Sequence, residues 1–244
     1  MFKSLPRFAI AVSLILAAAA PPLFGQPFTF TNTFGNPSII EQGLAVHQLP
    51  SGSIYFFGHA NADSIGGYDV SMIKSNGNGN ILWEKHLGGA NNDFTYRIIY
   101  RENAFIVCGL TTNIGGGFGD AFILKVDTLG NQQWFKTFGE TDQKEAFTTL
   151  APTNDGGFVC GGFISPPGSQ ISDFWLVKFD ENGEEEWSEF YGGTLNEYVM
   201  SVLETIDGGI AAVGDKERSD GSYNAWLIKT CLLYTSPSPR DHQP

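Results

Sequence analysis

The chain has 244 residues, of which 42% are hydrophobic and 14% aromatic, so extensive disorder is excluded and one large domain or two small ones are expected. Its 14 basic residues stand against 26 acidic ones, and the net charge of −12 excludes the basic footprint that a nucleic-acid partner requires. Small cations and sugars stay open as ligands.

The first 25 residues have the three-part pattern of a secretory signal peptide. Lys3 and Arg7 supply the positive region, and residues 8–20 form an apolar stretch shorter than the ~20 residues of a membrane span. Cleavage after Gly25 predicts export to a secreted or cell-surface location, with no membrane span left afterwards. The alternative is an uncleaved anchor.

Residues 26–230 contain about four units that repeat every 51–53 residues, the last of them incomplete. Each complete unit has an acidic residue, a lysine five positions later and a tryptophan nine positions after that, and a glycine ends a separate apolar run. The repeated residues are Asp69, Asp120, Asp173 and Asn224; Lys74, Lys125, Lys178 and Lys229; Trp83, Trp134 and Trp187; and the glycines Gly58, Gly109, Gly161 and Gly214.

The segment "DAFILKVD" shows what one unit looks like. Phe122, Leu124 and Val126 share one face, and Ala121 and Ile123 share the other, which is typical of a strand buried on both sides. Turn sequences of the types "DxxGxxxW" and "DGGF" divide each unit into about four short antiparallel strands. The predicted fold is therefore an all-β β-propeller of four-stranded blades.

These motifs carry a family resemblance. The unit "DFWLVKFDENGEEEWSEFYGG" resembles the β-propeller repeats of secreted bacterial proteins of the Bacteroidetes type, over residues 29–230. "DTLGNQQW" resembles the docking motif of quinoprotein propellers, in which the resemblance implies that the tryptophan joins neighbouring blades. Kelch repeats are a looser likeness. The motifs indicate architecture and leave the activity open.

The repeated carboxylates are the candidate site residues. Asp69, Asp120 and Asp173 could line one end of a propeller and gather a metal ion or a sugar, but repetition in every unit favours a structural role in capping strands or turns. Cys108 and Cys160 lie in apolar runs and are expected to be small core residues. The sequence contains none of the common catalytic motifs and predicts no cofactor.

Two function classes remain. The first is a secreted or cell-surface scaffold or binding protein, adhesive or glycan-binding, with a glycan or a cell-surface protein as partner. The second is an exported propeller enzyme, such as a lyase, a glycosidase or a quinoprotein, whose site lies in blades beyond this sequence.

The repeat stops abruptly near the end of the chain. Cys231, Tyr234 and Ser238 occupy the positions at which the register predicts a turn Asp or Asn, a glycine and a tryptophan. The segment "CLLYTSPSPRD" also resembles translated adaptor sequence. Residues 231–244 are therefore predicted to be non-native, and the propeller is predicted to be truncated.

Overall fold

The computed structural model describes residues 41–61, 67–112, 119–139, 143–166, 168–169 and 171–230. The predicted signal peptide at residues 1–25 and the predicted non-native tail at residues 231–244 lie outside the described residues, so both stay predictions.

Fifteen β-strands form four sheets, and the described residues contain no helix, hence none that could cross a membrane. The first sheet contains β1 (Glu41–Gln48), β2 (Ile54–Ala60), β3 (Asp69–Ser75) and β4 (Ile81–Leu87). The second contains β5 (Asp93–Arg101), β6 (Ala104–Thr111), β7 (Asp120–Asp127) and β8 (Gln132–Phe138). The third contains β9 (Lys144–Pro152), β10 (Phe158–Ser165), β11 (Asp173–Phe179) and β12 (Glu185–Tyr191). The fourth contains β13 (Glu197–Glu204), β14 (Ile210–Glu217) and β15 (Tyr223–Lys229).

Each sheet is a simple meander in which consecutive strands pair antiparallel. In the first three sheets, an Asp or Asn side chain builds the turn after the third strand. After β7, the Asp127 carboxylate accepts hydrogen bonds from the backbone N–H groups of Leu129 and Asn131, each at 2.8 Å. Gly130 adopts a φ of 75° within this turn, a conformation that favours glycine. The turn chemistry therefore follows directly from the repeated "DxxG" sequence.

The sheets pack face to face, and a separate hydrophobic core joins each sheet to the next. In β7, Phe122, Leu124 and Val126 lie in the core shared with the first sheet, whereas Ala121 and Ile123 lie in the core shared with the third. The predicted two-faced strand is thus confirmed, because β7 is covered by one neighbouring sheet on each side.

The sheets are the blades of a β-propeller, as predicted. The first strand of each blade contacts the first strand of the next, so the blades succeed one another around these inner strands. Within the described ranges, no hydrophobic core joins the fourth sheet to the first, and Val46 and Leu227 on these sheets are 64% and 70% exposed. The described blades form an open arc, as expected for a truncated propeller.

The glycine assigned to the third blade needs a correction. A Cβ on Gly58, Gly109 or Gly214 would overlap a backbone carbonyl oxygen of the neighbouring inner strand, and Gly162, not Gly161, has this environment in the third blade. The pairing agrees, because Gly162 lies opposite Phe147 before a bulge in β9, while Gly161 lies beyond the bulge opposite Thr149. The equivalent position is therefore Gly162, and Gly161 faces the fourth sheet.

The repeated tryptophans lie on the outermost strands and point to the following blade. Trp83 lies beside the turn glycine Gly130 of the second blade, and Trp134 lies beside Gly183 of the third. Trp187 packs against the core between the third and fourth sheets. Lys136, two residues after Trp134, donates to the backbone carbonyl of the next blade's turn at 2.9 Å. The outer strands β4 and β8 are therefore bound to the turn of the following blade.

Candidate functional site

The three register aspartates begin the third strand of their blades and lie at the boundaries between blades. Asp69 and Asp120 are buried, and Asp173 is half-buried. The Asp120 Oδ1 and the Glu145 Oε2 of the next blade lie 2.7 and 2.9 Å from the position that a Cβ of Gly139 would occupy. Burial raises the pKa of the Asp120 carboxyl. The glycine makes room for two carboxylates where blades meet.

Backbone hydrogen bonds cross the same boundaries. The N–H groups of Glu145 and Glu197 donate to the carbonyl oxygens of the residues before Asp120 and Asp173, at 2.9 and 2.7 Å. The aspartates therefore belong to a structural arrangement that recurs at successive blade boundaries. No three His, Cys, Asp or Glu residues form a possible metal site in the part of the chain that the structure describes, so Asp69, Asp120 and Asp173 do not form one together.

The boundary between the second and third sheets differs from the other two. At these other boundaries, Asn92 and Asn196 each accept a backbone hydrogen bond from the preceding blade, at 3.1 and 3.0 Å. The equivalent residue here is Lys144, whose ammonium has no acceptor, so this hydrogen bond cannot form. The Lys144 Nζ lies instead against the ring of Phe163, 5.6 Å from its centroid.

An open cleft of about 690 Å³ lies at this boundary. Its walls come from the end of β8, the start of β9 and the outer strands of the third sheet. The lining residues are Thr137, Phe138, Gly139, Gln143, Glu145, Ile164, Pro166, Asp173, Trp175, Glu185, Ser188 and Phe190. We call this space the interblade cleft. It lies within the usual size range of small-molecule sites.

A row of three aromatic rings runs along the third sheet to the surface of the cleft. Phe147 and Trp175 flank Gly162 in the β-pairing, and their rings stack across this glycine with centroids 4.7 Å apart. Phe190 lies opposite Trp175 and continues the stack at 6.1 Å, with an interplanar angle of 13°. The Trp175 Nε1 donates to the Ser188 Oγ at 2.8 Å, which fixes the indole ring. The row therefore passes from the buried core to an exposed ring.

The carboxylates of the cleft stand beside this row on the same face. Glu145 and Asp173 lie on either side of Ile164 in the strand pairing, so the two side chains project from the same face of the third sheet. Glu145 is fully buried, Asp173 is half-buried and Glu185 is exposed. The structure thus brings one of the predicted residues, Asp173, into a cleft with Glu145 and Glu185.

Sequence reasoning from the repeats missed most of this cleft. The positions equivalent to Phe190 are Thr137 in the second blade and His86 in the first, as the pairing of the third and fourth strands shows. Phe190 thus departs from the pattern. The signal available in the sequence was this departure, since a ligand site is expected to differ between blades whereas a packing requirement recurs in each.

Three four-stranded sheets and one three-stranded sheet, packed through shared cores, define the chain as a β-propeller-type protein. No protein-family model matches it. The chain is 27% identical over 126 residues to the regulatory protein FlaEY of Caulobacter vibrioides, an alignment that covers 45% of this chain and 13% of that protein.

Solved structures resemble the chain only distantly. An endo-arabinase from Bacteroides thetaiotaomicron matches at 9% identity and a TM-score of 0.47, over 79% of this chain and 75% of the other. A hypothetical protein from Leishmania major matches at 9% identity and a TM-score of 0.33, over 80% of this chain and 85% of the other. A GH43 endo-arabinanase from Bacillus licheniformis matches at 10% identity and a TM-score of 0.26, over 82% of this chain and 96% of the other. At this similarity these structures carry no information on function, and the interblade cleft is the feature of the chain that does.

Proposed function

We propose that the chain is a secreted or cell-surface β-propeller scaffold protein that binds glycans in the interblade cleft. Export is inferred from the predicted signal peptide at residues 1–25, and mass spectrometry of the secreted protein should find a new N-terminus after Gly25. The single observation that carries the glycan proposal is the aromatic row that ends in the exposed ring of Phe190 beside carboxylates.

The chemistry of the cleft suits a sugar ring. A pyranose or furanose has C–H groups on one face and hydroxyl groups around its rim, and the electron-rich face of an aromatic ring attracts C–H groups. The Phe190 ring is 52% exposed and is held in orientation by its stack on Trp175. The carboxylates of Asp173 and Glu185 and the hydroxyl of Ser188 line the same space and can hydrogen-bond a polyol.

The test compares Phe190→Thr, which introduces the residue found at the equivalent position of the second blade, with Tyr223→Thr. Tyr223 is a matched control, because it is 50% exposed and lies on β15 outside the cleft lining. Binding to a panel of plant, microbial and animal polysaccharides is measured by affinity electrophoresis. We expect wild type and Tyr223→Thr to bind the same polysaccharide, and Phe190→Thr to bind it about three- to tenfold more weakly.

Absence of binding to every polysaccharide, or equal binding by Phe190→Thr and wild type, would overturn the proposal. The same incubations are assayed for new reducing ends, because glycoside hydrolases also use a pair of carboxylates. Glu145 and Asp173 would supply that pair in the cleft. Product release that is lost in Glu145→Gln would replace the binding function by an enzyme activity in this cleft.

A further inference from the structure

Resting on the proposed glycan function, we infer that the interblade cleft selects sugars that carry amine groups over neutral sugars, and disfavours sugars that carry carboxylates. Three of its lining residues, Glu145, Asp173 and Glu185, are acidic, and among the described residues that line it none is Lys or Arg. Such a cleft has a negative potential, which attracts a cationic substituent and repels an anionic one.

The acidic groups occupy different depths of the cleft. Glu145 is buried at its base, Asp173 is half-buried beside it, and Glu185 is exposed near the outer end of the third sheet. A sugar that stacks its ring on Phe190 would therefore place its amine in a space lined by carboxylates of different burial. Water and salt screen interactions between partly buried charges less than interactions at an open surface. The preference for a cationic sugar is therefore stronger in the cleft.

The lysines on the strands that border the cleft do not cancel this potential. The Lys136 Nζ bridges to Glu184 at 2.7 Å, and Lys178 pairs with Asp155 at 2.8 Å. Lys144 lies against Phe163, whose neighbour Ile164 lines the cleft, so Phe163 points to the opposite side of the third sheet, where its ring contacts Tyr198. The acidic groups of the cleft thus set its local charge.

The test uses two hexasaccharides with the same β-1,4-linked backbone, the glucosamine hexamer and its fully N-acetylated form. They differ in the charge of the substituent at about pH 6, below the pKa of an ordinary amine. The variant Glu185→Gln removes a charge inside the cleft. Glu189→Gln removes one from the same strand, but Glu189 pairs with Leu176 and so lies on the opposite face of the third sheet. Both variants change the net charge equally.

At low ionic strength we expect the glucosamine hexamer to bind more tightly than the N-acetylated form. We expect Glu185→Gln to weaken only the glucosamine hexamer, by about three- to tenfold, and Glu189→Gln to bind like wild type. Titration calorimetry on the full chain measures all six affinities, and a glucuronic acid hexamer should bind more weakly than either.

Three results would overturn the inference. These are equal affinities for the charged and acetylated hexamers, equal effects of Glu185→Gln and Glu189→Gln, and failure of both hexamers to bind. If the last result occurs while another polysaccharide binds through Phe190, the charge preference is wrong and the glycan proposal stands. If no polysaccharide binds at all, both are wrong.

Discussion

Replacing Gly162 by alanine should separate the two inner strands of the third blade. A Cβ at this position would overlap the carbonyl oxygen of Ala146 and lie 2.8 Å from its carbonyl carbon and 3.0 Å from the Phe147 Cα. All three atoms belong to the backbone, which cannot rotate away as the end of a side chain can. The only relief is to move β9 away from β10, where they meet at the bulge.

The cost follows from two effects. Overpacking by one methyl group typically costs about 1–3 kcal/mol, and each ladder hydrogen bond that lengthens costs about 1 kcal/mol more. Gly162→Ala should therefore lower the free energy of unfolding by about 3 kcal/mol, which corresponds to about 6–12 °C in Tm for a chain of this size. The Phe147 and Trp175 rings, which stack across this glycine, should also lose part of their near-ultraviolet circular dichroism.

Thermal unfolding followed by circular dichroism measures the effect, with Gly43→Ala as the matched control. Gly43 also lies on an inner strand, but a Cβ there would have nothing within 4 Å. The control should change the stability by no more than about 1 kcal/mol, in the stabilising direction, because alanine restricts the unfolded chain. A Tm for Gly162→Ala within 2–3 °C of wild type, or equal losses in both variants, would refute the reasoning.

Two further predictions concern ionisable groups. Partial burial raises the pKa of Asp155, but hydrogen bonding led by Lys178 outweighs this and holds the pKa at about 2. The ion pair therefore stabilises the fold above about pH 4 and loses its effect as the pH falls towards 2. Asp155→Asn should make Tm depend less on pH between these values. If Tm of the variant and of wild type changed in parallel with pH, the stabilising role of this pair would be contradicted. Burial raises the thiol pKa of Cys108 and Cys160, so peptide mapping after alkylation should find both unmodified in the native protein and modified in denaturant. Modification of either in the native protein would contradict the packing.

Local chemistry made much of the fold predictable. The alternation in "DAFILKVD" requires a strand covered on both sides, and the structure buries Phe122 and Ile123 in different cores. The repeated "DxxG" turns could also be predicted. Asp127 supplies the hydrogen-bond acceptor of the turn and Gly130 its positive φ, and the two residues are only three positions apart. Information of this kind lies within a short segment, so a single sequence contains it.

The choice between Gly161 and Gly162 could not be made in this way. Both glycines fit the spacing of 51–53 residues, and the bulge that decides between them is on the partner strand β9. At the bulge, Thr148 donates to the Val199 carbonyl oxygen of the fourth sheet at 2.6 Å. The register therefore depends on a contact between residues about 50 positions apart, which no local pattern contains.

The sequence by itself determined the blade, because strand alternation and turn chemistry are local and the repeat displays them several times. It also identified Asp173 as a candidate site residue, but the repeat suggested that Asp173 would share a site with Asp69 and Asp120. Only the tertiary structure placed Asp173 with Glu145 and Phe190 at one boundary between blades. The physical reason is that the cleft is formed where two sheets face each other, and which side chains meet there depends on how the sheets pack.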